Sequence, residues 1–131
     1  MAAKEIILAI DDDPAVLKFI KVVCHHAAYE YHSADSGAHG LELLEQIKPT
    51  AILLDVDMPE MDGLKTHDKI RSDFPKLKVP VIFLSAKKDL ATISEATSWG
   101  STYLLKPIDP QRLLAKIETA IHDARAKLAS L

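Results

Sequence analysis

The chain has 131 residues, of which 48% are apolar and 27% are charged, and its formal net charge is −3 at pH 7. This length and composition predict one globular domain with a hydrophobic core and argue against an intrinsically disordered chain. The slightly acidic balance offers no basic surface for nucleic acid and no support for membrane insertion, and the single cysteine, Cys24, excludes an internal disulfide.

The first predicted strand is the apolar run Ile6–Ile10. It is too short for the hydrophobic region of a signal peptide or for a membrane span, so we expect a cytoplasmic protein. Three aspartates follow it, and Asp13 with Pro14 has the N-cap and first-position chemistry of a helix start. Apolar residues then recur at helical spacing, namely Val16, Leu17, Ile20, Val23 and Cys24.

The next elements are a short alternating strand over residues 29–34 and a second helix. Leu41, Leu44 and Ile47 mark the apolar face of that helix, which Pro49 should end. A third strand, Ala51–Asp55, is a continuous apolar run of the kind that is buried on both faces of a sheet.

The loop after Asp55 contains Asp62 and Gly63, and a third helix then follows with Leu64, His67 and Ile70 on one face. Residues 81–84 form a fourth predicted strand, which Ser85 follows. A helix over residues 89–98 should carry Leu90 and Ile93 on its apolar face.

The fifth predicted strand covers residues 103–105 and is followed by Lys106. Asp109 and Pro110 then repeat the helix-start pattern. The apolar positions of the last helix are Leu113, Leu114, Ile117, Ile121 and Ala124.

Strand and helix patterns alternate five times, which predicts an α/β fold with a mostly parallel sheet and helices on both faces. We expect a single domain over residues 1–131, with a core at about residues 4–124 and a short helical tail. Ile117, Ile121, Ala124, Leu128 and Leu131 alternate at spacings of four and three, which could extend the last helix into a coil for a partner. Two heptads are too few to predict a coiled coil, so an inward face followed by a fraying tail is expected.

Polar residues follow four of the predicted strands, and in a parallel sheet they meet at one edge: Asp11, Asp12, Asp55, Ser85 and Lys106. Crowded carboxylates repel one another, which predicts a divalent cation. Oxygen ligands that leave room for water and phosphate favour Mg²⁺, with Mn²⁺ as an alternative, over Ca²⁺. Lys106 and the hydroxyl of Ser85 could then bind phosphoryl oxygens, and Asp55 is the candidate nucleophile.

Each of these residues also has an ordinary interpretation when taken alone. An aspartate after a strand is more often a cap or a turn residue than a catalyst, so the prediction for Asp55 depends on the joint arrangement. Six histidines show neither HExxH nor paired Cys/His spacing, and we expect them to be scattered on the surface or partly buried rather than to bind a metal: His25, His26, His32, His39, His67 and His122.

The sequence resembles the receiver domain of two-component response regulators along essentially its whole length. The matching motifs are IDDD with Asp11 and Asp12, LLDVDMPEMDG around Asp55, VIFLSA with Ser85 and YLLKP with Lys106. The resemblance implies a flavodoxin-like, doubly wound sheet of five parallel strands in the order 2-1-3-4-5 with five helices. It implies that Asp55 accepts a phosphoryl group from a phosphohistidine on a sensor kinase or phosphotransfer protein, and that turnover of a substrate is not the protein's function.

By the same resemblance, Mg²⁺ is bound by Asp11, Asp12, Asp55 and the backbone carbonyl of Asp57. Lys106 contacts the phosphoryl group and precedes Pro107 through a peptide bond that is expected to be cis.

The resemblance also implies a switch. Ser85 moves toward the phosphoryl group while Tyr103 turns inward, which changes the face formed by helix 4, strand 5 and helix 5 for a downstream effector or a homodimer. Asp57 and Lys87 occupy positions that tune hydrolysis of the aspartyl phosphate in this family. We expect their side chains to pair across the site and to impede the attacking water.

Two residues depart from the family's usual pattern. The spacing from Ser85 to Lys106 is one residue short, in a loop that contains Trp99, and Trp99 is either packed over the end of helix 4 or an exposed anchor for a partner. His67 replaces an aliphatic residue, and we expect a core histidine with a satisfied hydrogen bond.

Two alternatives keep part of this interpretation. Asp55-Val56-Asp57 after an apolar strand also resembles the nucleophile motif of haloacid dehalogenase-type phosphatases, although Met58 and Pro59 follow it and the Asp11–Asp13 segment would have no role. The second alternative is a receiver that is not phosphorylated and serves as an interaction module.

Overall fold

The structure, a computed structural model, describes residues 4–98 and 100–130. Strands and helices alternate as the sequence predicts. The elements are β1 (Ile6–Ile10), α1 (Pro14–His26), β2 (Glu30–Ala34), α2 (Gly37–Leu44), β3 (Ala51–Asp55), α3 (Gly63–Asp73), β4 (Val81–Ser85), α4 (Leu90–Thr97), β5 (Thr102–Leu105) and α5 (Pro110–Ala129).

The five strands form one parallel sheet in the order β2-β1-β3-β4-β5. This is the order 2-1-3-4-5 that the resemblance implied, so the flavodoxin-like fold is confirmed. The chain leaves β1 toward β2 on one side and returns to β3 on the other. Loops after β1 and β3 therefore diverge, which opens a crevice at the carboxyl edge of the sheet between those two strands.

Short polar side chains start the helices. Asp13 and Asp109 are N-caps whose carboxylates accept hydrogen bonds from backbone N–H groups of α1 and α5, and Pro14 and Pro110 are the first helical residues, as predicted. Ser36, Asp62 and Asp89 cap the other three helices in the same way.

Several predicted boundaries differ by a few residues. β5 begins at Thr102 rather than Tyr103, and α4 covers Leu90–Thr97 rather than residues 89–98. β2 begins at Glu30 rather than Tyr29, and β4 continues to Ser85. α2 ends at Leu44, and Ile47 lies beyond the helix although it still packs against the core. The helix ends early because the backbone N–H of Gln46 bonds to the carbonyl three residues before it, which tightens the last turn.

The prediction that Leu90 lies on an apolar inward face of α4 is wrong, since the residue is 83% exposed. Leu90 is the first residue of α4, whereas the buried residue of this helix is Ala96, near the other end. Helical spacing groups Leu90 with Ile93 on one face of α4, but the helix is short and packs against the core only in its second half, at Ala96.

The core lies in two layers, one on each face of the sheet. Ile7 and Ala9 of β1 face α1 and α5, while Leu8 and Ile10 of the same strand face α2, α3 and α4. This alternation follows from the two-residue period of a strand. β3 is buried along its whole length, so the carboxylate at its end is held by a fixed backbone.

The last helix runs beyond the sheet. Ile117 and Ile121 are buried, as predicted, and Leu128 is half exposed on a tail that stays helical to Ala129. Arg125 forms an ion pair with Glu5 at 2.8 Å, which fixes the tail to the start of β1. Leu131, the last residue of the predicted heptad pattern, lies outside the described residues. Across the part of the chain that the structure describes, every helix is too short or too polar to span a membrane.

Buried His67 forms a polar pair with half-buried Arg71 on α3. Its Nε2 accepts a hydrogen bond from Nε of Arg71 at 3.3 Å, and its ring meets Phe83 edge-on with the centroids 5.4 Å apart. Arg71 also donates to the carbonyls of Leu77 and Val79 and so connects α3 to the segment before β4. His67 is therefore a satisfied core histidine, as predicted.

Acid is expected to destabilise the protein through His67. Burial, followed by the positive charge of Arg71, lowers the pKa of His67 from its ordinary value of 6.5. As the pH falls below that value, the unfolded chain takes up a proton that the folded protein does not, so the free energy of unfolding decreases. Denaturant unfolding from about pH 7 to about pH 5 should therefore show a smaller loss of stability in His67→Leu than in wild type.

His122→Gln is the matched control because His122 is exposed on α5. Its pH dependence should follow that of wild type. Parallel curves for His67→Leu and wild type would show that the buried imidazole does not contribute to acid sensitivity.

Candidate functional site

The carboxyl edge of the sheet brings together the polar residues that the sequence placed there. Asp11 and Asp12 follow β1, Asp55 is the last residue of β3, and Ser85 is the last residue of β4. Lys106 follows β5, and its backbone N–H donates to the carbonyl of Ser85 at 2.9 Å. The candidate site therefore lies in the crevice between β1 and β3, with β4 and β5 on one side.

Three carboxylates form a cluster that could hold a metal ion. Within the described residues, oxygens of Asp11, Asp12 and Asp55 all lie within 4.8 Å of one another, and no histidine belongs to the group. Asp11 and Asp55 are buried, whereas Asp12 is exposed. An all-oxygen donor set with one solvent-facing member fits a hard divalent cation that keeps several waters, so the residues present fit Mg²⁺.

Lys106 lies against the two buried carboxylates. Its Nζ is 2.9 Å from Oδ2 of Asp11 and 3.2 Å from Oδ1 of Asp55. The other oxygen of Asp11 accepts the backbone N–H of Asp13 at 2.9 Å. The peptide bond from Lys106 to Pro107 is cis, as the resemblance implied.

The electrostatics of the cluster follow from its burial. Burial and the nearby charge of Asp11 raise the pKa of Asp55 to about 7, against the opposing effect of Lys106. Burial alone would lower the pKa of Lys106, but its hydrogen bonds and charge attraction to Asp11 and Asp55 raise it instead. Lys106 therefore stays positively charged, and a further cation beside Asp55 would favour its ionised form.

A second polar cluster lies on the β4 side of the crevice. Nζ of Lys87 is 3.0 Å from Oδ1 of Asp57, so the ion pair that the sequence predicted is present. The hydroxyl of Ser85 donates to Oδ2 of Asp57 at 2.9 Å. The hydroxyl of Tyr103 donates a hydrogen bond to the backbone carbonyl of Lys87 at 3.0 Å. Among the described residues, Ser85 Oγ is bonded to Asp57 and to the backbone N–H of Lys87, and not to Asp55.

Gly63 contributes to the site in a way that the sequence did not predict. Its backbone N–H donates to the carbonyl of Val56 at 2.9 Å, and a Cβ at this position would overlap the carbonyl oxygen of Asp55. The start of α3 is therefore pressed against the residue that carries the candidate nucleophile. The sequence placed Asp62 and Gly63 in the loop after Asp55, whereas Gly63 is the first residue of α3 and Asp62 is its N-cap.

Trp99 is the one predicted feature of the neighbouring loop that lies outside the described residues, so neither of its two interpretations is tested. Gly100 next to it has a positive φ of 80°, a backbone conformation that suits glycine.

Comparison with known proteins gives the family and the fold. A family model described as "Response regulator receiver domain" matches residues 7–118. The chain is 36% identical over 118 residues to the transcriptional regulatory protein CrdR of Helicobacter pylori and 38% identical over 122 residues to a probable C4-dicarboxylate response regulator, DctR, of Bacillus subtilis. These alignments cover 89% and 90% of the chain but 55% and 53% of the relatives, so the chain spans about half the length of these curated relatives.

Solved structures agree with this. A CheY-like receiver domain protein from Methanospirillum hungatei superposes with a TM-score of 0.87 at 25% identity, over 95% of this chain and 99% of that one. The chemotaxis protein CheY4 of Vibrio cholerae gives a TM-score of 0.84 at 25% identity, over 90% and 99% of the two chains.

Proposed function

This chain belongs to the family of response regulator receiver domains, and on that basis we propose that Asp55 is its phosphoacceptor in a two-component phosphorelay. The supporting observation is the position of Asp55, a buried carboxylate at the end of β3 with Asp11, Asp12 and Lys106 around it. Oδ of Asp55 attacks the phosphorus of a phosphohistidine on a sensor histidine kinase or phosphotransfer protein. The P–N bond breaks, a P–O bond forms, and the imidazole leaves with the bonding electrons and is protonated.

Mg²⁺, or Mn²⁺ in its place, would be held by Asp11, Asp12, Asp55 and the backbone carbonyl of Asp57. When bound, the ion neutralises oxygens of the transferring phosphoryl group. The protein's own contribution is to fix the carboxylates before the donor arrives. Asp11 is held by Lys106 and by the backbone of Asp13, so it is already oriented toward the cluster.

Lys106 is proposed to stabilise the phosphoryl group on the side opposite the cation. Its ammonium already contacts Oδ1 of Asp55 at 3.2 Å, and it can follow the charge onto the phosphoryl oxygens as the P–O bond forms. This residue therefore acts on the rate of transfer as well as on the stability of the product.

Lys106→Met should slow the phosphorylation of Asp55 about a hundredfold, because it removes a charged donor while keeping a side chain of similar length. The measurement is a time course of intact mass with acetyl phosphate and Mg²⁺. Lys65→Met is the control, since Lys65 is exposed on α3. A rate in Lys106→Met equal to that of wild type would remove Lys106 from the proposed mechanism.

Ser85 and Tyr103 are the proposed switch residues. After phosphorylation Ser85 moves its hydroxyl to the phosphoryl group and Tyr103 turns inward, which changes the surface of α4, β5 and α5 for a downstream effector or for a homodimer. Asp57 and Lys87 are proposed to tune hydrolysis by shielding the phosphoryl group from water. Slow hydrolysis of the aspartyl phosphate at Asp55 is then the only turnover.

The chain belongs to the receiver family, so the proposed function does not retain the haloacid dehalogenase alternative.

The test is to map the modified residue in wild type. After treatment with acetyl phosphate and Mg²⁺, intact-mass analysis should show one phosphoryl group per chain, and none when EDTA is present. Borohydride reduction of the aspartyl phosphate followed by peptide mapping should give homoserine at position 55. An unlabelled protein would support the receiver that serves only as an interaction module, and homoserine at another position would move the acceptor there.

A further inference from the structure

Lys87 makes polar contacts with three residues that lie on separate elements. Its backbone N–H donates to Oγ of Ser85, its Nζ pairs with Asp57, and its carbonyl accepts the hydroxyl of Tyr103, each at 3.0 Å. The two proposed switch residues are therefore connected to each other through Lys87, in a protein whose Asp55 is unmodified.

The hydroxyl of Ser85 already donates a hydrogen bond in the protein with unmodified Asp55. A serine hydroxyl has one proton to donate, and Ser85 donates it to Oδ2 of Asp57 at 2.9 Å. Ser85 is fully buried, so water cannot replace this partner. The hydroxyl can bond to a phosphoryl oxygen at Asp55 only after it has left Asp57.

Asp57 and Lys87 differ from Ser85 because they face solvent. Their side chains are 41% and 54% exposed, so each can exchange its partner for water. Exposed ion pairs contribute little to stability, which allows this pair to separate during a switch. The buried hydroxyl of Ser85 thus has two possible acceptors, the carboxylate of Asp57 and a phosphoryl oxygen at Asp55. Of these, only the carboxylate of Asp57 can exchange its bond to Ser85 for water at low cost.

We propose that Asp57 and Lys87 form a latch that holds Ser85 and Tyr103 in the resting arrangement until Asp55 is phosphorylated. The proposal rests on the proposed function, because it needs Asp55 to be the phosphoacceptor. Asp57 is a positioning residue in this role: it acts through Ser85, which is a different effect from shielding the phosphoryl group from water. Removing its carboxylate frees the Ser85 hydroxyl and increases the resting population of the switched arrangement about tenfold, the size expected for one charge-assisted hydrogen bond.

The experiment measures the resonances of Tyr103 by NMR, because Tyr103 contacts the backbone carbonyl of Lys87 and makes no hydrogen bond to Asp57. Spectra of unphosphorylated and phosphorylated wild type define two end points. In unphosphorylated, metal-free Asp57→Ala, the resonances of Tyr103 should move along the line between those end points. Lys87→Met should move them in the same direction by less, since Ser85 keeps its bond to Asp57.

Glu60→Ala is the matched control, because Glu60 is an exposed carboxylate in the same loop. It should leave Tyr103 at the resting position. The latch would be overturned if the Tyr103 resonances in Asp57→Ala were unchanged or moved off the line between the end points. Labelling of wild type at position 55 would still support Asp55 as the phosphoacceptor. If wild type cannot be labelled at Asp55, the proposed function fails and the latch fails with it.

Discussion

Asp55→Asn is expected to abolish phosphorylation by acetyl phosphate and Mg²⁺ completely, so that the intact mass stays at that of the unmodified chain. An asparagine has nearly the same shape as an aspartate but lacks the nucleophilic carboxylate oxygen. The other acidic residues of the cluster cannot substitute for Asp55. Oδ2 of Asp11 is held by Lys106 at 2.9 Å, and Asp12 is on the exposed side of the group.

The control for this experiment is Asp68→Asn, which makes the same chemical change at an exposed position of α3. It should be labelled as wild type is. Thermal unfolding of Asp55→Asn should show a cooperative transition, which excludes loss of structure as the reason for lost labelling. Equal labelling of Asp55→Asn and wild type would place the acceptor elsewhere and refute the central proposal.

Gly63→Ala should lower the free energy of unfolding by about 3 kcal/mol, at the upper end of the range for overpacking. The added Cβ would overlap the carbonyl oxygen of Asp55 and lie 2.8 Å from Cα of Val56. Both obstacles are buried backbone atoms, one at the last residue of β3 and one at the residue after it, so no flexible side chain can move aside. The strand end and the start of α3 must separate, and the carboxylate of Asp55 moves with them.

Urea unfolding of wild type and Gly63→Ala measures this cost directly. Lys65→Ala, two residues further along the same helix, adds no atoms and should change stability by less than about 0.5 kcal/mol. Rates of labelling, compared at a temperature where both proteins are folded, should also fall in Gly63→Ala because Asp55 is displaced. A stability equal to that of wild type would mean that the helix can shift without disturbing β3.

Two polar clusters lie around Asp55, the proposed phosphoacceptor. In the proposed function, Asp11, Asp12 and Lys106 prepare Asp55 to receive the phosphoryl group. In the proposed latch, Asp57 and Lys87 keep Ser85 away from it. The first cluster is largely buried, whereas the ion pair of the second is exposed. Phosphorylation should therefore leave the first cluster in place and rearrange the second.

The sequence alone predicted the order of the elements and the polar residues that follow the strands. Continuous apolar runs predicted β1 and β3, and the Asp-Pro pairs at Asp13 and Asp109 predicted the first turns of α1 and α5. These signals are local: a strand buried on both faces needs apolar residues throughout, and a helix start needs a capping oxygen. Because parallel strands end at one edge, the same local signals also placed Asp11, Asp55, Ser85 and Lys106 together.

Tertiary structure decided which of several possible partners each residue contacts. Leu90 fits an apolar helical face but is exposed, because the packing of α4 ends before its first turn. Gly63 was predicted to lie in a loop, yet it begins α3 at a point where the backbone of Asp55 passes too close for a side chain. Ser85 could have faced Asp55 or Asp57, and the folded chain gives its hydroxyl to Asp57. Such choices depend on distances between segments that are far apart in the chain, and spacing along a sequence does not contain them.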